Sequence, residues 1–87
     1  AEIPDVAFDA ATEAALDELA DFIAEGHGGE EIQGEIYETA KRHDVPIGDL
    51  FGAGYRLLFD EDEGPQLGPF VAKLDREFVV ERFRRDR

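Results

Sequence analysis

The sequence predicts an all-α fold, a small bundle of four or five short helices, on three observations. Apolar residues return at helical spacing through most of the chain. Glycine and proline clusters interrupt that spacing at short intervals. No stretch alternates apolar and polar residues long enough for a strand.

Between Thr12 and Glu25 the positions Leu16, Leu19, Ala20 and Ile23 form one stripe, and Glu13, Asp17, Asp21 and Glu25 form another, as in an amphipathic helix. Thr12 or Asp9 supplies a capping oxygen at its start. The run Gly26-His27-Gly28-Gly29 ends it, because glycine tolerates the left-handed backbone that closes many helices. A second helix follows from about Glu30 to His43, with Ile32, Ile36, Tyr37 and Ala40 inward. Its early acids, Glu30 and Glu31, and its late bases, Lys41, Arg42 and His43, complement the helix dipole. Asp44-Val45-Pro46 breaks the period.

A third helix begins near Ile47 or Asp49 and reaches Phe59, with Leu50, Phe51, Gly54, Tyr55 and Leu58 sharing a face. Gly52 and Gly54 weaken it intrinsically, which is understandable if another element packs closely against them. Residues 60–64 form an acidic turn. A short helix then covers Leu67–Leu74, with Pro69 in its first turn. Asp75 caps a last helix through Val79, Val80 and Phe83.

The chain has 87 residues, so one domain over residues 1–87 is the expectation, with no room for a second core. Its formal net charge of −13, from 22 acids and 9 bases, lies far outside the usual range for a small domain. Concentrated salt screens such self-repulsion, so adaptation to a saline cytoplasm is one reading. An acidic face for a basic partner and nucleic-acid mimicry are the others. Cysteine is absent, which excludes disulfides and thiolate metal sites. The apolar runs are too short to span a membrane and the first residues lack the pattern of a secretion signal, so the expected location is cytoplasmic, with no membrane partner.

The charge is unevenly spread along the chain. Residues 1–40 hold twelve acids and no Lys or Arg, and residues 41–87 hold ten acids and all nine bases, so the two parts carry −12 and −1. A polyanion should approach the second part. The bases there include Lys73, Arg76, Arg82, Arg84, Arg85 and Arg87. The terminal arginines suit a solvated helix end, packing against another domain, or phosphate contact. Tyr37 and Tyr55 are able to stack on bases, although helices often place Tyr at the core margin.

Catalytic and metal-binding patterns are missing. A calcium loop starting at Asp60 would need Gly at its sixth position and Glu at its twelfth, where Pro65 and Val71 stand. His27 and His43 have neither a Cys partner nor a helical metal-pair spacing. No dinucleotide fingerprint or phosphate loop occurs. No catalytic, cofactor-binding or metal-ligating residue is expected.

From Ile32 onward, the order IYETAK, then DLFGAGYRLLF, an acidic turn, GPQLGPFVAKLD and REFVVERF resembles the carboxyl-terminal end of archaeal class I lysyl-tRNA synthetases. The resemblance is dense from about Glu31 to Arg84 and looser before. It implies a helical anticodon-binding domain, similar to that of the class I lysyl and glutamyl enzymes, in a fragment of a larger synthetase. The parent would be an enzyme whose Rossmann-like catalytic core activates lysine with ATP, with magnesium, and charges tRNA(Lys). HIGH-like and KMSKS-like signatures do not occur in these residues, so the fragment itself should be non-catalytic.

The partners implied are the tRNA(Lys) anticodon stem-loop and the catalytic domain of the same chain. Gly64-Pro65-Gln66-Leu67-Gly68 matches the family's Gly-Pro-x-Leu-Gly turn, with Gln66 where Arg is often found. Gln66 retains hydrogen bonds for a base edge but loses a charge for phosphate. The RNA contacts expected on this basis are Tyr55, Arg56, Gln66, Lys73 and Arg76. The reading from a different class is an acidic helical module that docks a basic protein through residues 13–38.

The net charge has a measurable consequence. Circular dichroism of the chain during a titration from about 0.1 to about 3 M KCl should show helical structure that becomes more heat-stable as salt screens the repulsion. Equal stability at the lowest salt would remove the salt-adaptation reading.

Overall fold

The computed structural model of the protein describes residues 7–85 and contains five helices among them. Helix α1 spans Ala10–Ala24 and α2 spans Gly29–His43. Helix α3 covers Ile47–Phe59, α4 Leu67–Lys73 and α5 Arg76–Arg84. The all-α bundle expected from periodicity is the observed architecture. Helix α1 packs chiefly on α5 and α2, α2 also carries α4, and α3 lies against all four others.

Local signals set most boundaries. The Asp9 carboxylate, not the Thr12 hydroxyl, caps α1, accepting the Thr12 N–H at 2.8 Å. Hydrogen bonding from the Thr12 side chain, and after it from the Thr12 backbone, holds the Asp9 carboxyl below its ordinary pKa. Gly26, at φ +90°, supplies the left-handed residue after α1. Asp44 and Asp60 adopt the same conformation, at φ 54° and 59°, after α2 and α3. A short polar side chain makes that geometry tolerable. Asp75 caps α5, accepting the Phe78 N–H at 3.2 Å.

One hydrophobic cluster serves the described residues. Leu16, Leu19 and Ile23 from α1 meet Ile32 and Ile36 from α2, Leu50 and Leu57 from α3, and Leu67, Val79 and Phe83 from α4 and α5. Tyr37 departs from the inward position expected of it: it is 50% exposed, and Thr39 is buried instead. The stripe set by Ile32 and Ile36 continues to Thr39 and Ala40, whereas Tyr37 stands about 100° around the helix from Ile36. Thr39 avoids an unmet polar group because its hydroxyl donates to Glu35 at 3.4 Å and accepts from Arg42 at 3.1 Å.

The tightest packing joins α2 to α4. A Cβ added to Gly68 would fall 2.5 Å from the Gly29 carbonyl oxygen and 2.6 Å from the Gln33 backbone nitrogen. A Cβ on Gly29 would fall 2.7 Å from the Pro69 Cα. The two helix starts therefore cross backbone on backbone, and the Gly68 N–H, unpaired within its own helix, donates to the Gln33 side chain at 2.6 Å. In α3 the two glycines differ: a Cβ on Gly54 would meet Leu67 at 2.6 Å, whereas one on Gly52 would meet nothing within 4 Å.

These contacts separate two classes of substitution. Gly68→Ala should lower stability by about 1–3 kcal/mol through overpacking against backbone. Gly52→Ala should raise it by roughly 0.5–1 kcal/mol, because only the helix penalty of glycine is removed. Denaturant titration of the two variants against the parent chain distinguishes them, and equal effects of the two would contradict the packing described.

Candidate nucleic-acid interface

The five residues expected to contact RNA occupy three places in the fold. Tyr55 lies on α3 with its ring 6.1 Å from that of Phe59 at an interplanar angle of 21°. Its hydroxyl donates to the Pro65 carbonyl at 2.8 Å, and its ring borders Gly64 so closely that a Cβ there would come within 3.2 Å. Burial raises the Tyr55 pKa, with the neighbouring Tyr37 a smaller contribution, so the phenol stays protonated and keeps its donor. Tyr55 thus braces the acidic turn against α3. Gln66 sits beside it at the start of α4, exposed and without a capping hydrogen bond.

Arg56 follows Tyr55 but points about 100° around the helix. Its guanidinium lies 3.7 Å from Asp60 and 3.6 Å from Asp62, in a cleft that Phe8, Asp49 and Gly52 share. Lys73 and Arg76 form the third place. Helix α4 carries the chain about 10 Å from Gln66 to Lys73, and Leu74-Asp75 turns it into Arg76. The Arg76 guanidinium spreads over Gly26, where an added Cβ would meet its atoms at 3.1–3.3 Å. The missing side chain at Gly26 leaves the space that Arg76 fills. A cavity of about 270 Å³ opens there, lined by Ile23, His27, Val71 and Arg76.

The fold redistributes the charges that look segregated along the chain. Arg84 pairs with Asp21 at 2.7 Å and Arg85 with Asp17 at 2.9 Å, which joins the acidic stripe of α1 to the end of α5. Arg42 bridges Glu18 and Glu35, and His43 reaches the other Glu18 oxygen at 2.6 Å. The His43 hydrogen bond, and after it Arg42, holds the Glu18 carboxyl below its ordinary pKa. Arg82 is buried, donates to the Leu57 carbonyl at 3.3 Å and lies over the Phe78 ring at 4.9 Å. It satisfies a carbonyl in the last turn of α3, where the dipole favours a cation.

Arg82, Arg84 and Arg85 are therefore engaged by groups of the same chain and do not form a free basic patch, although Arg84 stays exposed at the helix end; Arg87 lies outside the described residues. Among the described residues, Lys73 and Arg76 are the exposed cations with no carboxylate within 4.0 Å. Two further residues that the fold engages carried no sequence signal of a role. Gln33 anchors the start of α4, and His27 borders the same cavity as Arg76. A lone His in a glycine run shows nothing of its neighbours until the helices close on it.

His27 stacks on Phe22 at 3.8 Å and 9°. It lies 2.9 Å from Glu25 and 3.6 Å from Glu31. The hydrogen bond to Glu25, and then the charge of Glu31, raise its pKa. Since the folded-state pKa exceeds the unfolded one, the stabilisation is complete below the ordinary value of about 6.5 and is lost as pH rises through the folded value. An NMR titration should place the His27 imidazole above that ordinary value. Glu25→Gln should move it back down; no movement would show that Glu25 does not hold the proton.

Among the described residues, no group of three or more His, Cys, Asp or Glu side chains is placed to hold a metal ion, and no helix is long and apolar enough to cross a membrane. No family profile matches the chain. It is 78% identical over 86 residues to a lysine–tRNA ligase of Haloarcula marismortui and 69% identical over 87 residues to one of Halobacterium salinarum, in each case across 99% of this chain. A lysine–tRNA ligase of Pyrococcus horikoshii is 36% identical over 72 residues, 80% of this chain. The chain spans only 16% of the length of the first two relatives and 14% of the third. Over a region the size of a domain, the chain is thus homologous to archaeal lysine–tRNA ligases, as a fragment of such an enzyme would be.

Proposed function

We propose that this chain is the part of a cytoplasmic, salt-adapted lysine–tRNA ligase that receives the anticodon stem-loop of tRNA(Lys). Catalysis, with ATP and magnesium, belongs on this reading to the rest of the enzyme. The observation that carries the interface is the pairing of the cations. Arg42, Arg84 and Arg85 are held by carboxylates of α1 and α2, while Lys73 and Arg76 stand exposed and unclaimed on either side of one turn. Three residues apart, they present an ammonium and a planar guanidinium to successive phosphates.

Gln66, at the other end of α4, offers both an amide donor and a carbonyl acceptor to a base edge. Tyr55 holds the turn that presents Gln66, and its ring is too engaged with Phe59 and Gly64 to serve mainly as a stacking platform. Arg56, facing two carboxylates, contributes less charge to a phosphate than Lys73 or Arg76. The competing basic-partner reading loses support because Asp17, Glu18 and Asp21 are already matched by cations of the same chain.

With a domain charge of −13, long-range steering opposes RNA. Salt relieves that repulsion and also weakens each phosphate contact. The remainder of the ligase compensates by holding the acceptor end, which raises the effective concentration of the anticodon at this domain.

The test uses the full-length ligase. Lys73→Ala and Arg76→Ala should weaken binding of tRNA(Lys) and of an anticodon-altered tRNA(Lys) alike. Each should also reduce the salt slope by up to about 1. Gln66→Ala should narrow the difference between the two RNAs, by about 1–3 kcal/mol if it reads one base edge through a bidentate pair. Unchanged binding and aminoacylation in all three variants, with folding preserved, would reject the interface.

A further inference from the structure

Gly26 and Arg76 stand some fifty positions apart and meet at one point in space. A Cβ added to Gly26 would fall 3.1 Å from the Arg76 Nη2 and 3.3 Å from its Cζ and Nη1. The whole end of the guanidinium, rather than a single nitrogen, occupies the place where a side chain would begin. Backbone conformation alone does not account for the glycine. Asp44, Asp60 and Arg85 take left-handed backbone, at φ 54°, 59° and 58°, where α2, α3 and α5 end, so this chain closes helices with side chains present. At Gly26 the φ angle is wider, +90°, and the space beside it is filled from another helix.

This setting fixes a cation without neutralising it. Helix α1 has no basic residue in its last turn. Arg76 brings its guanidinium from α5 to the segment just past that end, where the helix dipole favours positive charge. Glu25 and Asp75, which precede the two residues in sequence, are engaged elsewhere: Glu25 faces His27 at 2.9 Å, and Asp75 accepts the Phe78 N–H at 3.2 Å. Among the described residues no carboxylate lies within 4.0 Å of Arg76, so its planar donors stay open to an oxyanion. Arg42, Arg84 and Arg85 are fixed as well, but by carboxylates that offset their charge.

We propose that Gly26 is a positioning residue for RNA binding: because it has no side chain, it seats the Arg76 guanidinium where a phosphate of the tRNA backbone meets it. The inference rests on the reading of Arg76 as a phosphate contact and adds a residue that acts through Arg76. A methyl group at position 26 displaces the guanidinium first, since that is the far end of a flexible side chain. The helices behind it are held by Leu16, Leu19, Val79 and Phe83 in the core. The loss therefore falls on binding, because a guanidinium free to swing must be ordered when the phosphate arrives.

The experiment measures tRNA(Lys) binding by the full-length ligase in concentrated salt. Gly26→Ala should weaken it roughly 2- to 10-fold, the effect of having to immobilise one long side chain. The same loss should persist beside Lys73→Ala and vanish beside Arg76→Ala, whereas a general loss of stability would appear in both backgrounds. Gly28→Ala is the control, since its Cβ would meet only Glu31, at 3.8 Å, and it should bind like the parent. Gly26→Asn, which tolerates left-handed backbone better, repeats the series if alanine strains the turn. Labelling of Arg76 by phenylglyoxal without RNA, read by peptide mass spectrometry, should quicken in the position-26 variants and not in Gly28→Ala. Unchanged labelling, or an equal loss beside Arg76→Ala, would overturn the proposal. A silent change at position 26 beside an effective Arg76→Ala would overturn it alone, whereas an Arg76→Ala ligase that binds like the parent would overturn the phosphate reading together with it.

Discussion

The contact on which the arrangement depends most is the backbone crossing of α2 and α4 at Gly29, Gln33 and Gly68. Helix α4 is only seven residues long and would not persist alone. It holds because Gly68 admits the Gly29 carbonyl at a distance that no Cβ would allow, and because Gln33 accepts the Gly68 N–H, one of those left free at the helix start. Leu67, next to Gly68, then enters the space that Gly54 leaves in α3. Three glycines on three helices thereby set the position of α4, and α4 sets the separation between Gln66 and Lys73.

Electrostatics adds a second constraint of a different kind. A net charge of −13 opposes compaction, yet the carboxylates of α1 and α2 are not simply left to repel one another. Glu18 accepts from two residues at the end of α2, and Asp17 and Asp21 receive the arginines that follow Phe83. Exposed pairs of this kind contribute little each, on the order of 0–1 kcal/mol. Their larger effect is on what remains available. By occupying most arginines internally they confine exposed, unpaired positive charge, among the described residues, to the α4–α5 turn, and so one sequence-wide imbalance becomes a local feature of the surface.

That turn is also tied to the far end of α1. Arg76 fills the space over Gly26, and His27 borders the same cavity, its pKa raised by Glu25 and Glu31. An exposed cation without a carboxylate partner among the described residues is therefore supported by a segment some fifty positions earlier.

Periodicity and turn chemistry by themselves determined the helical class, four interruptions and nearly every helix limit, because those depend on residues within one or two turns of each other. Asp75 as a cap, Asp9 as one of two candidates for the first cap, the Gly26 run as a stop and the Pro46 break were all legible in that way. The likeness to class I lysyl enzymes was equally legible, since it lies in the order of short motifs. Only the tertiary structure decided which side chains remain free. Tyr37 turned outward because Ile32 and Ile36 fixed the buried stripe one position away. Gly54 acquired a partner in Leu67 and Gly52 did not, and Arg82, Arg84 and Arg85 were taken by groups twenty-five to sixty-eight positions distant. Pairings over such separations depend on how helices cross, and a linear pattern of charges holds no information about the distance between two residues that the crossing brings together.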